Sequence, residues 1–330
     1  MKVAFYFDRP LPVFEYGGTE RILFWHMCEL VRQGIEVFLL GHPKSQVREY
    51  GIQLIPLDLS RPHDFAHLLP AQIDLIHYSF NMKNTTHLPA IYTLHGNGQP
   101  GESFHENTVF VSQKHARNHG SDIFIYNALN FNEYPMPRYS AEELKSKLQW
   151  NRFLFLAKAS WKVKNLKSCV TVCRQEKKHL DIIGGRYWGL SRYIHSHGIL
   201  GGIKKMELMK RTHAHLFPVR WEEPFGIAVI ESMAMGLPVI GSSYGSLPEL
   251  IKPQTGIIAH NEQELKNAIV QLPRSFQVEE IRHYAETHFG IFQYTQQYIQ
   301  LYQKVCAGEK LNSNCPTWKI DSKPSDLLNF

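Results

Sequence analysis

Short apolar segments alternate with amphipathic segments along most of the 330-residue chain. The first segments predict a strand at KVAFYF, a glycine loop ending in YGGT, a helix at ERILFWHMCELVRQG and a strand at EVFLLG. Further strands are predicted at QLIPL, DLIHY, AIYTLH, TVFVS and DIFIYN, and then at RFLFLA, LDIIGG, GILGG, AHLFPV, LPVIGS and TGIIA. Alternation of strands with helices predicts an α/β fold with parallel sheets.

A charged stretch with two prolines, PMPRYSAEELKSKLQW, interrupts this alternation and predicts a domain boundary. We therefore expect two Rossmann-like, doubly wound domains at residues 1–145 and 146–290, followed by a helical segment and a polar tail at residues 291–330. Such domains bind ligands beyond the carboxyl ends of their strands, so we expect the ligand in a cleft shared by the two domains.

Composition limits the class of protein. A hydrophobic content of 43% is enough for a substantial core. The apolar run Val3–Phe7 is too short for a signal peptide, and no run approaches the ~18 to 20 apolar residues that span a bilayer. Five scattered cysteines do not predict a disulfide framework and fit a reducing compartment. We therefore expect a soluble, cytoplasmic protein.

The net charge of +6 is unevenly distributed. Residues 1–137 hold 10 Lys and Arg against 13 Asp and Glu, a balance of −3, and residues 138–330 hold 26 against 17, a balance of +9. A basic second half could face nucleic acid, an anionic membrane or a phosphorylated small molecule, and charge alone leaves these open.

The segment EEPFGIAVIESMAMGLPV, residues 222–239, places two carboxylates beside and within an apolar helix. Its prolines and glycines predict a helix over residues 225–235, with Glu223 at its cap and Glu231 two turns inside. Their eight-residue separation spans about 12 Å along a helix axis. Carboxyls that flank one glycosidic bond are at most about 9.5 Å apart, so we expect this pair to contact two ends of one extended ligand.

The start of this helix predicts an anion site, because the backbone N–H groups of Gly226, Ile227 and Ala228 and the positive end of the helix dipole would face the ligand. Glu223, at the rim, would accept hydrogen bonds from sugar hydroxyls, and Glu231, deeper, from a ribose. In the alternative reading Glu223 only caps the helix and Glu231 is a partly buried structural carboxylate. The two readings are equally supported by these residues alone.

The pattern of two glutamates in EPFGIAVIESMAMGLPVI resembles the signature of retaining glycosyltransferases of family 4, among the glycosyl transferases group 1. YGGTERILFWHMCELVRQG, IYTLHG, VFVSQKHARNHG, LAKASWKVKNL and DIIGG resemble further segments of that family in the same order, over about residues 1–305. The resemblance implies the GT-B fold, in which the last helix crosses back to the first domain. It also implies transfer of a sugar from a nucleoside diphosphate to an acceptor hydroxyl with retained anomeric configuration.

The resemblance assigns roles to residues of the second half. Glu223 matches the carboxylate that contacts the donor sugar, and Glu231 matches the one that holds the ribose hydroxyls. Lys158 and Lys164 match two basic residues that neutralise the diphosphate. The remaining donor-contacting positions are Phe225, Gly226, Ile227 and Gly185, with Gly185 at the expected nucleobase pocket.

In the first half, His95 matches a histidine near the sugar, and Gly17 and Gly18 match a loop beside the phosphates or the acceptor. Two positions depart from the family pattern. Lys158 stands where the family usually has arginine, and lysine lacks the two-pronged contact to phosphate oxygens. Gly96 follows His95 where an acidic residue is common.

Fixed cations and helix amides can stabilise a leaving diphosphate without a metal, so we expect no metal and no cofactor beyond the nucleotide sugar. The pairs His195–His197 and His213–His215 have the spacing of strand ligands but favour ordinary strand ends. The expected partners are the donor and a carbohydrate, lipid-linked or small-molecule acceptor, with no nucleic acid and at most a weak peripheral membrane contact. A non-catalytic nucleotide-sugar or glycan-binding protein is the alternative.

Overall fold

Two parallel six-stranded sheets organise the chain. The structure is a computed structural model that describes residues 1–13, 17–140, 142, 150–271, 276–321 and 323–330. Contacts divide the chain into a first unit, Met1–Leu129 with Ile291–Ser322, and a second unit, Asn130–Gly290 with Lys323–Phe330. The boundary predicted at residue 145 lies outside the described residues, and the contacts assign the segment from Asn130 onwards to the second unit.

The first unit contains a sheet of strand order β3-β2-β1-β4-β5-β6. Strand β1 is almost entirely buried, as expected for a central parallel strand whose two faces are both covered. The strands are β1 (Lys2–Phe7), β2 (Glu36–Gly41), β3 (Gln53–Pro56), β4 (Leu75–Tyr78), β5 (Ala90–Leu94) and β6 (Thr108–Phe110). The helices of this unit are α1 (Gly18–Arg32), α2 (Gln113–Asn118) and α9 (Ile291–Cys306).

The second unit contains a sheet of order β12-β11-β10-β7-β8-β9. Its strands are β7 (Arg152–Leu156), β8 (His179–Ile183), β9 (Ile194–Ser196), β10 (Ala214–Phe217), β11 (Val239–Ser242) and β12 (Gly256–Ala259). Its helices are α3 (Leu166–Gln175), α4 (Gly202–Arg211), α5 (Ile227–Ala234), α6 (Leu247–Leu250), α7 (Glu262–Gln271) and α8 (Val278–Phe289). The predicted α/β fold with two doubly wound parallel sheets is confirmed.

Two predicted strands are wrong. The segment DIFIYN pairs with β6 only through one isolated bridge, between Phe124 and Phe110. No ladder of hydrogen bonds extends from this bridge, so the segment is not a strand. GILGG is not a strand, because the edge strand β9 ends at Ser196 and Gly198 turns away with a φ of +69°. No helix among the described residues has the length and apolar content needed to cross a bilayer.

The last helix belongs to the first unit, as predicted, because α9 packs against α1. A buried hydrogen-bond network joins the two helices to the sheet. His26 contacts the Thr295 hydroxyl at 2.9 Å and the Tyr302 hydroxyl at 2.8 Å. The same Tyr302 hydroxyl lies 2.7 Å from Nδ1 of His77, whose Nε2 lies 2.7 Å from the Thr93 hydroxyl. The network ties α1, β4, β5 and α9 together.

Both histidines of this network are neutral in the folded protein. Burial lowers the pKa of His26 to about 3 and holds the pKa of His77 well below its usual value. Unfolded histidines titrate near pH 6.5, so below that pH the unfolded chain binds protons that the folded chain does not. The folded state therefore loses stability as the pH falls.

We expect the free energy of unfolding to decrease as the pH is lowered from about 7 to about 5. His26→Gln keeps a polar side chain but cannot titrate, so its slope should be shallower by up to about 1.4 kcal/mol per pH unit. Urea unfolding at several pH values measures the slope. The exposed His63→Gln provides the control, and equal slopes for wild type and His26→Gln would contradict the interpretation.

Candidate functional site

Helix α5 starts at Ile227, two residues later than predicted, because Gly226 takes the N-cap position in the left-handed conformation. Its φ is +86°, and an added Cβ would lie 3.3 Å from the Phe217 ring. A residue with a side chain would be strained there. Glu223 lies three residues before the N-cap and does not cap the helix, so that part of the prediction is wrong.

Glu223 is buried rather than at a rim, with 5% of its surface exposed. Its Oε2 accepts hydrogen bonds from Lys164 Nζ at 2.5 Å and from Trp221 Nε1 at 2.6 Å. Lys164 is itself buried and lies against the Trp221 and Phe217 rings, at 4.8 and 5.1 Å from their centroids. The structure therefore joins two residues that the sequence predicted separately.

Lys164 reaches Glu223 from a short 3₁₀ turn, Lys162–Lys164, which precedes helix α3. Asn165 follows in the left-handed conformation, which asparagine tolerates better than most residues. Its side-chain amide donates to the Pro218 carbonyl at 3.0 Å. This bond fixes the turn to the segment after β10, which leads to Glu223.

Glu231 is also paired. With 3% of its surface exposed, it accepts hydrogen bonds at Oε1 from Lys205 Nζ at 2.7 Å and from the Tyr134 hydroxyl at 2.5 Å. Arg282 donates to the Tyr134 carbonyl at 2.6 Å and fixes the segment that carries this tyrosine.

Sequence analysis missed both partners of Glu231. Tyr134 is 97 residues away in the chain, and nothing local marks it. Lys205 did carry a signal, because it lies four residues before Met209, and both side chains face the buried side of α4. A lysine on the apolar stripe of a helix indicates a buried acidic partner.

Lys158 is arranged differently from Lys164. It is exposed, and its Nζ lies 4.9 Å from the centroid of the Trp161 ring. The backbone of its loop is fixed beside the end of β8, because the Ala159 N–H donates to the Gly184 carbonyl at 2.9 Å. Gly185 has a φ of +149°, and an added Cβ would lie 2.7 Å from the Ala159 Cβ. The residue that follows Lys158 therefore packs against Gly185.

The first unit holds the other predicted residues. Gly17, with a φ of +140°, occupies the N-cap position of α1, and Gly18 is the first residue of that helix. His95 directly follows β5, and its buried Nδ1 has no hydrogen-bond partner among the described residues. Burial lowers the pKa of His95 to about 4, so the ring is neutral at pH 7.

The predicted histidine pairs have ordinary partners within the second unit. His195 stacks on His179, and His197 lies 2.7 Å from Asp181. His213 contacts the Arg152 carbonyl, and His215 contacts the Ser232 hydroxyl. Among the described residues, no group of three or more His, Cys, Asp or Glu side chains is placed to hold a metal ion.

Lys158, Lys164, Glu223 and Glu231 thus occupy one unit, with the two buried carboxylates each held by a lysine. Residues 150–275 match the family model of glycosyl transferases group 1. This match contains all four residues, together with Lys205. Among curated proteins, none matches this chain in sequence.

Solved glycosyltransferase structures share the fold of the whole chain. AviGT4, a glycosyltransferase involved in avilamycin A biosynthesis, is 22% identical, with 96% of this chain and 99% of that chain covered and a TM-score of 0.74. HepE of Anabaena, in complex with UDP and glucose, is 18% identical over 92% and 99%, with a TM-score of 0.69. Sucrose-phosphate synthase of Thermosynechococcus elongatus is 16% identical over 93% and 100%, with a TM-score of 0.72. The fold is GT-B, as predicted.

The Lys205–Glu231 pair predicts a strong energetic coupling. Lys205→Met leaves a buried carboxylate without its cation and should lower the free energy of unfolding by about 3 to 5 kcal/mol. Adding Glu231→Gln should recover part of that loss, since the unpaired charge disappears. Urea unfolding of both single variants and the double variant measures the coupling. Additive losses would show that the pair contributes no coupling.

Proposed function

We propose that the chain is a retaining glycosyltransferase that moves a sugar from a nucleoside diphosphate to an acceptor hydroxyl without a metal ion. The Lys164–Glu223 pair directly before helix α5, in the segment that matches glycosyl transferases group 1, is the observation that carries this proposal. It sets a cation and a carboxylate side by side, and in the proposed complex the diphosphate and its sugar meet there.

In the proposed reaction, a bond forms between the acceptor oxygen and the anomeric carbon, and the bond from that carbon to the phosphate oxygen breaks. The acceptor proton passes to the departing diphosphate. Negative charge grows on the leaving oxygen, and Lys158, Lys164 and the amides at the start of α5 stabilise it. Lysine has three N–H donors, so Lys164 can keep its bond to Glu223 while it contacts a phosphate.

Glu231 holds the ribose in this proposal. Because so little of its surface is exposed, ribose contact requires one present partner to move aside. We assign that movement to Tyr134, which is neutral, since withdrawal of Lys205 would leave a buried charge unpaired. Phe225 and Ile227 flank Gly226 at the α5 start, and Gly185, packed against Ala159, lies at the proposed base pocket.

The residues predicted in the first unit keep their assigned roles in this proposal. His95 is neutral, and its buried Nδ1 has no partner in the described part of the chain, so we assign the ring a hydrogen bond to a sugar hydroxyl. Gly17 and Gly18 expose backbone N–H groups at the start of α1 to phosphate or acceptor. HepE was solved with UDP and glucose, so UDP-sugars are the first donors to test. The proposed acceptor is a carbohydrate, a lipid-linked sugar or a small molecule, in the cytoplasm.

A non-catalytic sugar-nucleotide binder is the second candidate. Lys158 replaces the usual arginine and lies on Trp161 at the surface, which favours weaker stabilisation of the leaving group. Donor hydrolysis and transfer assays separate the candidates, because a binder would retain affinity for the donor and release no nucleoside diphosphate.

Lys164→Met should lower kcat by about 10²- to 10³-fold, because it removes a preorganised cation from the leaving diphosphate. Steady-state transfer assays, run first with UDP-, GDP-, ADP- and dTDP-sugars, provide the measurement. Lys167→Met removes an exposed lysine from the same stretch and should leave kcat unchanged. Equal kcat values for the two variants would contradict the role of Lys164.

Glu231→Gln should weaken nucleotide binding, whereas Tyr134→Phe should preserve or strengthen it, since no hydrogen bond from residue 134 to Glu231 has to be broken when the ribose binds. Thermal shift with the donor is the measurement. Binding stabilises the wild type by about 2.7 kcal/mol at a hundredfold excess over Kd. If Glu231→Gln binds nucleotide like wild type while remaining folded, Glu231 is a structural carboxylate.

Transfer activity should persist when EDTA removes divalent ions, because lysines and helix amides supply the positive charge. The assay compares rates with EDTA, and with Mg²⁺ or Mn²⁺ restored. A loss of activity that either ion reverses would overturn the metal-free proposal without affecting the other assignments.

A further inference from the structure

The four most exposed large apolar side chains of the described chain lie within residues 188–203. They are Trp188, Leu190, Ile199 and Ile203, with 89%, 100%, 61% and 74% of their surfaces exposed. The next most exposed, Phe292, reaches only 48%. Single exposed apolar residues are ordinary, but a concentration of the extreme cases in one short stretch indicates an interaction surface.

This exposure is built into an anchored loop. Tyr187 packs against the core of the second unit, and its N–H donates to the Ser196 hydroxyl at 2.9 Å. Gly189 lies against the Tyr187 ring, because an added Cβ would come within 2.3 Å of the Tyr187 hydroxyl. Trp188 and Leu190 therefore lie on either side of a fixed glycine and point into solvent.

The two parts of the stretch leave the sheet at one place. The Gly184 N–H donates to the Gly198 carbonyl at 2.7 Å, and Gly185 forms an antiparallel bridge with Gly198. The loop that carries Trp188 and the segment that carries Ile199 thus both flank β9, the edge strand of the sheet. Both therefore start from the same point at the edge of the sheet.

The charge of this surface is predominantly positive, and the exposed Glu207, one helix turn after Ile203, is the first carboxylate that follows it in the chain. Residues 182–206 contain no aspartate or glutamate, and Arg186, Arg192 and Lys204 are exposed among them. Arg192 is held over the Tyr193 ring, with its guanidinium carbon 4.9 Å from the ring centroid. Exposed Trp and Leu between exposed arginines is the composition that anionic bilayer surfaces attract.

We propose that this edge surface, formed by Arg186, Trp188, Leu190, Arg192, Ile199 and Ile203, docks onto an anionic lipid bilayer. The indole of Trp188 lies at the headgroup level, Leu190 and the isoleucines enter the acyl boundary, and the arginines bind lipid phosphates. The inference rests on exposure and charge alone and does not depend on the proposed transferase activity.

Vesicle co-sedimentation of the full chain tests the proposal. Binding should be strong to phosphatidylcholine vesicles that contain phosphatidylglycerol, weak to phosphatidylcholine alone, and reduced by added salt. Trp188→Ser/Leu190→Ser should lower the partition coefficient about tenfold or more. Leu59→Ser/Val270→Ser, which removes two other exposed apolar side chains, should leave it unchanged.

Arg186→Gln/Arg192→Gln provides a second variant and should reduce the salt-sensitive part of binding while apolar insertion remains. The proposal is overturned if the wild-type chain does not bind the vesicles. It is also overturned if the wild type and Trp188→Ser/Leu190→Ser bind them equally. Self-association in analytical ultracentrifugation that only Trp188→Ser/Leu190→Ser abolishes, without vesicle binding, overturns it in favour of a second copy of the chain. Quenching of Trp188 by nucleotide without vesicle binding overturns it in favour of a base-stacking role.

Discussion

The central constraint in the second unit is the burial of two carboxylates. An ionised carboxylate removed from water costs several kcal/mol unless a cation and further hydrogen bonds compensate it. Lys164 with Trp221 compensates Glu223, and Lys205 with Tyr134 compensates Glu231. Each pair joins segments far apart in the chain, so the geometry around α5 depends on both pairs being formed.

This compensation also determines which charges remain for a ligand. Glu223 neutralises Lys164, and Glu231 neutralises Lys205, so neither pair presents a net positive charge. Near Gly185 and Gly226, the exposed Lys158 and Arg186 and the amides at the α5 start are positive groups that neither carboxylate compensates. In the proposed complex, the diphosphate supplies the negative charge that balances them. Lys164 adds no net charge, but its ammonium group has a fixed orientation, because it is buried between Glu223 and two aromatic rings.

Sequence periodicity was sufficient for both sheets, for most of their strands and for the return of the last helix to the first unit. It misassigned GILGG and DIFIYN, because apolar residues cannot show whether a neighbouring strand extends a ladder. The candidate site residues were predicted singly, but the pairing of Lys164 with Glu223 was not predicted, since it depends on a turn fixed by Asn165. Tyr134 could not have been found from spacing, because its contact with Glu231 is entirely tertiary.

Positively charged side chains of the second half lie in two different environments. This difference bears on the choice among nucleic acid, an anionic membrane and a phosphorylated small molecule, which charge alone leaves open. Lysines around α5 are buried or close to aromatic rings, where a small anion is recognised by fixed geometry. Arg186, Arg192 and Lys204 instead lie in solvent among exposed apolar side chains, where a broad anionic surface is favoured. A nucleic acid, bound through its base edges or its phosphate backbone, would favour a basic groove without a fully exposed leucine. The positive charge of the second half thus fits a phosphorylated ligand near α5 and a lipid surface at the edge of the sheet.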